Sequence, residues 1–309
     1  MKKTALALCF IAVVFAVPTQ AVEGVKELVI VPGVKERVIQ AHPATWRIRT
    51  GHSEITLFGS MHMLPANTGW LTPDIWHAVR TSDVFVFEVP TDDNSRNTLT
   101  RLVDARGALP AGQSLRAMLP PESQADFDAA MAAEKMTASI TDHQQPWLAS
   151  LHLTLADTIN RQFYPDAGID YVLMNWANRR NLQVRYLESV DSQLAMLMPD
   201  ASEQVDQLRR FQTALKNVGR TEKDLDPLFE AWSDGDVATL DSIIVKDFAD
   251  RPAARKRLLI DRNVEWAEKI KKMSGEWRNF FVVVGAAHLI GPDGVVAMLR
   301  KEGIEVEGP

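Results

Sequence analysis

Two histidines and two glutamates occupy equivalent places in the sequence, at or just after the ends of apolar runs of strand length. His62 and His288 each stand three positions after a glycine that ends such a run, and Glu88 and Glu188 each end another run. Imidazole and carboxylate groups are common protein ligands of zinc, manganese and cobalt. A bound metal lowers the pKa of its water towards neutrality and polarises a carbonyl oxygen, as amide or ester hydrolysis requires. We therefore expect His62, Glu88 and His288 to hold a divalent metal (Mn, Co or Zn).

Each of these residues also has a simpler interpretation. Buried histidines and glutamates at strand ends are more often hydrogen-bonded structural residues than ligands. Repetition favours a site, because residues 56–65 and 282–290 both contain an apolar strand followed by Gly-x-x-His and two further apolar residues. Two other strand ends carry acids, and Glu188 would serve as a further ligand or as the general base.

The elements that would position these residues alternate between strands and helices. Helices are expected at 72–80, 168–178 and 294–303, with mostly helical stretches at about 91–160 and 191–275. Strands are expected at 45–50, 54–59, 83–89, 182–188 and 280–285, with a hairpin turn at 51–53 and a last short strand at 304–306.

This alternation predicts an α/β fold with a mixed, largely parallel central sheet, flanked by many helices and carrying two strand–Gly-x-x-His units. Ligands of such sheets collect beyond the carboxyl ends of the strands. The interval from His62 to Glu88 is a strand–helix–strand unit, which places those two strand ends on one edge of the sheet. We therefore expect all four residues in one crevice.

The N-terminus has the pattern of a secretory signal peptide. Lys2 and Lys3 precede an apolar run at 5–17, and Thr19-Gln20-Ala21 supplies small residues at the cleavage positions. Thirteen apolar residues are too few to anchor the chain across a bilayer. We expect cleavage after Ala21 and a periplasmic or secreted protein. The remainder divides into a lead-in at 22–44 and a single α/β domain at 45–309, with helical insertions at about 91–160 and 191–275.

The composition and the absence of common motifs exclude several classes of function. The only cysteine, Cys9, lies in the predicted signal peptide, so cysteine nucleophiles and cysteine metal sites are excluded for the mature chain. The full chain has a formal charge of −6, and the mature chain would have about −8, because cleavage removes two lysines. This negative charge argues against nucleic acid as a partner. No later apolar run is long enough to cross a membrane. The sequence contains no HExxH, Gly-x-Ser-x-Gly, Walker or Rossmann motif. A peptide or small molecule remains as substrate, and the oligomeric state is not indicated.

Two further motifs allow alternative interpretations. Asp170, in Gly168-Ile169-Asp170, is either a first-turn acid that suits the helix dipole or an acid of the site, and we favour the dipole. Arg262 and Asn263 are either an exposed pair on a helix or an inward-facing cation and amide, and from chemistry alone we favour exposure.

Taken together, the ordered motifs resemble the TraB/GumN family, which also includes the Tiki proteases. The resemblance runs from about residue 45 to the C-terminus, with Ser60 where the family often has threonine. It is carried by two Gly-x-x-His motifs, an acidic strand end, Gly-Ile-Asp, Leu-Glu followed by Gln, Arg-Asn-x-x-Trp and Gly-x-x-His-Leu-x-Gly, which match residues 59–62, Glu88, 168–170, 187–193, 262–266 and 285–291.

The resemblance implies the fold of the erythromycin esterase and ChaN-like group, and a metalloprotease-like activity. The resemblance also favours a site role for Arg262 and Asn263, which would stabilise the substrate carbonyl or the oxyanion. Our leading hypothesis is an exported, metal-dependent, peptidase-like hydrolase of an amide or ester bond, with Glu88, Glu188, Arg262 and Asn263 as catalytic residues. The alternatives are a non-catalytic periplasmic binding or regulatory protein that sequesters peptide, metal or haem, and a structural partner in an envelope assembly.

Overall fold

The structure is a computed structural model that describes residues 38–197, 204–218 and 222–309. The predicted signal peptide at 1–21 and most of the lead-in at 22–44 lie outside the described residues. Cleavage after Ala21 and export therefore stay predictions. So does the division into one domain with two helical insertions.

A five-stranded sheet forms the centre of the molecule, in the strand order β2-β3-β7-β5-β6. Strands β3, β7, β5 and β6 run parallel, and β2 joins β3 as an antiparallel edge strand. The strands are β1 (Ile39–Gln40), β2 (Thr45–Arg49), β3 (Glu54–Ser60), β4 (Thr68–Gly69), β5 (Val84–Phe87), β6 (Gln183–Tyr186) and β7 (Phe280–Gly285), of which β1 and β4 form a separate parallel pair. The predicted mixed, largely parallel sheet is confirmed.

Helices surround this sheet, as the helical stretches predicted. They are α1 (Pro73–Thr81), α2 (Asp93–Gly107), α3 (Leu115–Met118), α4 (Pro121–Ala133), α5 (Ala138–Thr141), α6 (Pro146–Asn160), α7 (Ile169–Arg179), α8 (Val190–Leu197), α9 (Gln204–Asn217), α10 (Glu222–Ser233), α11 (Val237–Asp247), α12 (Pro252–Arg255), α13 (Asp261–Met273) and α14 (Val295–Lys301). A π-helical segment, Lys256–Ile260, joins α12 to α13. Within the described ranges, no helix has both the length and the hydrophobicity that crossing a bilayer requires.

The most apolar strand lies in the middle of the sheet. All six residues of β7 are buried, and β7 pairs with β3 on one side and with β5 on the other. Strands β3 and β5 are therefore not neighbours in the sheet, although only β4 and helix α1 lie between them in the sequence. Their carboxyl ends still share one edge, since all three strands are parallel. The insertion of β7 brings the second Gly-x-x-His motif between the first motif and Glu88.

The local predictions around β3 are confirmed, whereas the last predicted strand is wrong. Strands β2 and β3 form the expected hairpin, and Thr72 caps α1 by accepting a hydrogen bond from the Ile75 N–H at 3.3 Å. Residues 304–306 form no strand, because the returning chain meets the β2 edge at one position only, where Glu307 pairs with Arg47. The apolar character of this segment reflects the packing of Val306 into the core.

The two Gly-x-x-His motifs pack directly against each other. A Cβ at Gly59 would lie 3.0 Å from both Cα and Cβ of Ala286, the residue after the glycine of the second motif. The Gly59 carbonyl also accepts a buried hydrogen bond of 2.9 Å from the Trp232 indole N–H on α10. Gly59 thus allows the chain leaving β3 to approach the chain leaving β7.

We predict that Gly59→Ala destabilises the fold by about 1–3 kcal/mol, because the added methyl group overpacks a rigid backbone contact. Urea unfolding followed by circular dichroism measures this change. Gly51→Ala is the control, since a Cβ at Gly51 meets nothing within 4 Å. Equal unfolding midpoints for the two variants would contradict the close approach.

Candidate functional site

Two carboxylates leave the sheet side by side. Glu88 directly follows β5, and Glu188 follows β6 by two residues. The Glu188 N–H donates to the Glu88 carbonyl at 2.8 Å, which continues the pairing of the two strands beyond their ends. This shared register brings both acids to the carboxyl edge of the sheet, as predicted. Glu88 also accepts a hydrogen bond of 2.7 Å from the Gly285 N–H at the end of β7.

Arg262 joins these carboxylates to the second histidine. Its Nη2 donates to Glu88 at 2.7 Å and to Glu188 at 2.6 Å, and its Nε donates to Glu188 at 3.1 Å. Nη1 donates to the Leu258 carbonyl at 3.2 Å and lies 2.9 Å from Nε2 of His288. A guanidinium has five N–H donors, and each has a partner here. We call Glu88, Glu188, Arg262 and His288 the strand-end network.

The network is almost completely buried. The side chains of Glu88, Glu188 and Arg262 are 1%, 5% and 4% exposed. Burial by itself lowers the pKa of Arg262, but the charges of the two glutamates and their hydrogen bonds outweigh it and raise that pKa above its ordinary value. Arg262 is therefore a permanent cation, and it compensates buried carboxylates that would otherwise be very unfavourable.

His288 is neutral within this network. Its Nδ1–H donates to Oδ1 of Asn263 at 2.6 Å, and its Nε2 accepts from Arg262. Complete burial, the charge of Arg262 and the nearby His62 lower the pKa of His288 well below its ordinary value. Trp266 packs on both cation and imidazole, with its ring 4.4 Å from the guanidinium carbon and 4.4 Å from the centre of the His288 ring.

A single helix supplies the residues that meet His288. The buried face of α13 carries Arg262, Asn263 and Trp266, and the π-helical segment Lys256–Ile260 immediately precedes it. Such π-helical turns occur frequently at functional sites. Our expectation from chemistry alone that Arg262 and Asn263 are exposed is wrong, since they are 4% and 1% exposed.

His62 belongs to a second pair at the rim of the network. Its Nδ1 lies 2.7 Å from Oδ2 of Asp170, and the two side chains are 10% and 20% exposed. His62 is also close enough to His288 to act on its pKa. Asp170 is in the first turn of α7, as predicted, but its carboxylate contacts His62 as well. The sequence favours the dipole role, and the contact with His62 agrees with the alternative of an acid beside the predicted site.

The predicted metal ligands Glu88 and His288 are engaged in hydrogen bonds with other side chains in this arrangement. The Arg262 guanidinium, a cation itself, lies between the two carboxylates, and both ring nitrogens of His288 have hydrogen-bond partners. Across residues 38–197, 204–218 and 222–309, no three His, Cys, Asp or Glu side chains are grouped so that they could hold a metal ion. A metal at His62, Glu88 and His288 stays a prediction, and no chemical step below depends on it.

The predicted catalytic residues are arranged differently from the expected oxyanion site. Arg262 directs its donors to groups of the protein. Asn263 accepts from His288 and donates to the Asp293 carbonyl at 2.7 Å. Burial, opposed in part by Arg262, raises the pKa of Glu188 to about 7. Glu188 thus exchanges a proton near neutral pH, and its role as a general base stays a prediction.

We predict that Arg262→Met lowers the free energy of unfolding by about 3–5 kcal/mol at pH 8, because it leaves two buried carboxylates without a cation. Chemical denaturation of the purified protein measures the loss. Arg209→Met is the control, because the Arg209 side chain is 73% exposed in its ion pair with Asp206 and exposed pairs contribute less than about 1 kcal/mol. Similar losses in both variants would contradict the role of Arg262 in the network.

The raised pKa of Glu188 predicts a pH-dependent stability. A folded-state pKa of about 7 lies above the ordinary value of 4.5, so folding takes up a proton between these values. The resulting stabilisation is complete below pH 4.5 and is lost as the pH rises through 7.

Relative to Glu188→Gln, the unchanged protein should therefore lose up to about 1.4 kcal/mol of unfolding free energy per pH unit within this window. Denaturation curves collected from pH 5 to about pH 8 test this. Glu265→Gln, at an exposed position of α13, is the control and should keep the pH dependence of the unchanged protein. Parallel stability curves for the unchanged protein and Glu188→Gln would exclude the shift.

Comparison with known proteins places this arrangement in a family. The TraB/PrgY/gumN family matches residues 44–308. The YbaP protein of Escherichia coli (strain K12), described as uncharacterized, is 23% identical over 254 residues, which cover 81% of this chain and 89% of YbaP. YbaP of Shigella flexneri is similar to the same extent. No solved structure matches this chain. Since the family match spans most of the sequence and includes every motif discussed above, the chain belongs to the TraB/PrgY/GumN family.

Proposed function

We propose that this protein is a hydrolase of an amide or ester bond in which His62 acts as the general base. The observation that carries the proposal is the 2.7 Å contact between Nδ1 of His62 and the carboxylate of Asp170. A carboxylate at Nδ1 fixes the ring tautomer and orientation, and it stabilises the imidazolium that forms during proton transfer. The two side chains are 10% and 20% exposed, more than those of the strand-end network beside them, and the Nε2 atom of His62 is itself buried.

In the proposed reaction, Nδ1 of His62 keeps its proton towards Asp170, and Nε2 supplies the lone pair. Nε2 removes a proton from a water molecule as the water oxygen attacks the substrate carbonyl. The imidazolium then returns this proton to the leaving amine or alkoxide, so that one water is consumed and two products form. General base catalysis of this kind contributes about 10²- to 10⁴-fold to a rate.

The strand-end network lies beside the His62–Asp170 pair and contributes to its electrostatic surroundings. His288 is neutral and held by Arg262 and Asn263, so it leaves His62 beside an uncharged ring. Arg262 carries one positive charge and so balances one of the two network carboxylates, and the raised pKa of Glu188, about 7, reduces the remaining negative charge near neutral pH. Near neutral pH the network therefore carries less than one net negative charge beside the acid–base pair. The substrate is a peptide or small molecule, and the place of action is the periplasm or the exterior of the cell.

We predict that His62→Gln lowers kcat/KM by about 10²- to 10⁴-fold while the protein stays folded. The assay incubates residues 22–309 with peptide and ester libraries and identifies products by mass spectrometry. His77→Gln, which changes an exposed histidine of α1, is the control and should retain full activity. A fully active His62→Gln protein would reject the proposed base.

The same assay decides between the hypotheses. Samples are treated with a chelator, and then with Mn, Co or Zn, and their metal content is measured. Activity that disappears on chelation and returns with one metal would favour the predicted metal centre over the histidine base. Stoichiometric binding of a peptide or haem without any product would instead support a binding or regulatory protein.

A further inference from the structure

Helix α7 begins in contact with the backbone of His62. A Cβ built on Gly168 would lie 2.0 Å from the His62 carbonyl oxygen and 2.5 Å from its carbonyl carbon. Real Cβ atoms do not approach backbone atoms so closely. The next residue, Ile169, donates its N–H to the Met61 carbonyl at 3.1 Å. The two contacts involve the carbonyl groups of Met61 and His62, directly after the end of β3 at Ser60.

The requirement for glycine here is one of space. Gly168 has φ −62° and ψ 144°, a conformation open to any residue. It occupies the N-cap of α7, a position where Ser, Thr, Asp and Asn are preferred because their side chains accept a backbone N–H. No side chain caps α7. The helix lacks this capping bond at the position where any side chain would displace the His62 carbonyl.

Two residues after Gly168, the same helix places Asp170 on the His62 ring. The Leu64 and Tyr164 backbones add a mutual pair of hydrogen bonds, 2.9 and 3.3 Å long, on the other side of the histidine. Residues 164–170 therefore hold both the backbone of His62 and the imidazole nitrogen Nδ1. The contact of Gly168 with the His62 carbonyl limits how closely α7 approaches the segment that follows β3.

We propose that Gly168 is a positioning residue for His62. Its missing side chain lets the start of α7 lie against the His62 carbonyl, and this contact sets the separation at which the Asp170 carboxylate meets Nδ1. The inference rests on the proposed function for its catalytic consequence. The geometric part, that Gly168 controls the His62–Asp170 hydrogen bond, has a readout of its own.

The test uses protein with ¹⁵N-labelled histidine. An Nδ1–H that donates to a carboxylate gives a downfield proton resonance, which is assigned by its absence from His62→Gln. We expect this resonance in the unchanged protein and its loss or clear upfield shift in Gly168→Ala. Gly275→Ala is the matched control, because its Cβ would make only an ordinary contact of 3.5 Å. A folded Gly168→Ala protein with an unchanged resonance would overturn the proposal.

A double variant separates positioning from a general loss of structure. Asp170→Asn removes the carboxylate but keeps the backbone. If Gly168 acts through the His62–Asp170 pair, then Gly168→Ala lowers kcat by about a hundredfold alone and has little further effect in the Asp170→Asn background. Fully additive effects would show that Gly168 acts elsewhere. If no substrate is ever cleaved, the hydrolase proposal fails, and the resonance still tests the positioning role.

A second variant applies if Gly168→Ala does not fold. Ile169→Pro removes the N–H that donates to Met61, while proline at the first helical position is well tolerated. The expected result is the same loss or upfield shift of the His62 resonance. Ile169→Val retains the N–H and is the control. An unchanged resonance in Ile169→Pro would refute the role of the α7 start in holding His62.

Discussion

Burial of the Arg262 guanidinium against two carboxylates is the constraint around which this structure is arranged. A charge with 4% exposure is tolerable only if it is paired and hydrogen-bonded on every side. The hydrogen bonds of this guanidinium require Glu88 and Glu188 at the ends of neighbouring strands and His288 as a neutral acceptor. They also require that α13 presents Arg262 on its buried face. Four separate segments of the chain must therefore be positioned together. The central position of β7 brings His288 to this network, and Gly59 contacts Ala286 beside it.

The site has two layers with different properties. The strand-end network is buried and internally satisfied, and such a network rigidifies its surroundings. The His62–Asp170 pair at its rim is partly exposed and is held by the start of α7 rather than by α13. The proposed acid–base chemistry lies at the rim, beside the buried network. The strand-end network also contains the residue types of the predicted metal site, and the Arg262 guanidinium contacts both of its carboxylates.

Much of the fold was accessible from the sequence, because its signals are local. The hairpin of β2 and β3, the capped start of α1 and the apolar strand β7 were predicted within a residue or two. The prediction of a strand at 304–306 was wrong, since an apolar residue can be buried without pairing. The strand order was not predicted, because parallel pairing depends on contacts between distant segments. The network was predicted as a set of residues, but the position of Arg262 among them was not.

By itself, the sequence determined which groups reach the carboxyl edge of the sheet, since strand periodicity, glycines and chain direction specify where each strand ends. It also determined the family, through motifs whose order is more specific than any one of them. Only the tertiary structure decided the pairings: Arg262 with Glu88 and Glu188, His288 with Asn263, and His62 with Asp170. Residue types allow several such partnerships, and the choice depends on helix packing over separations of 25 to 174 residues. Burial then decided the charges, because a neutral His288 and a Glu188 that titrates near 7 exist only in this environment.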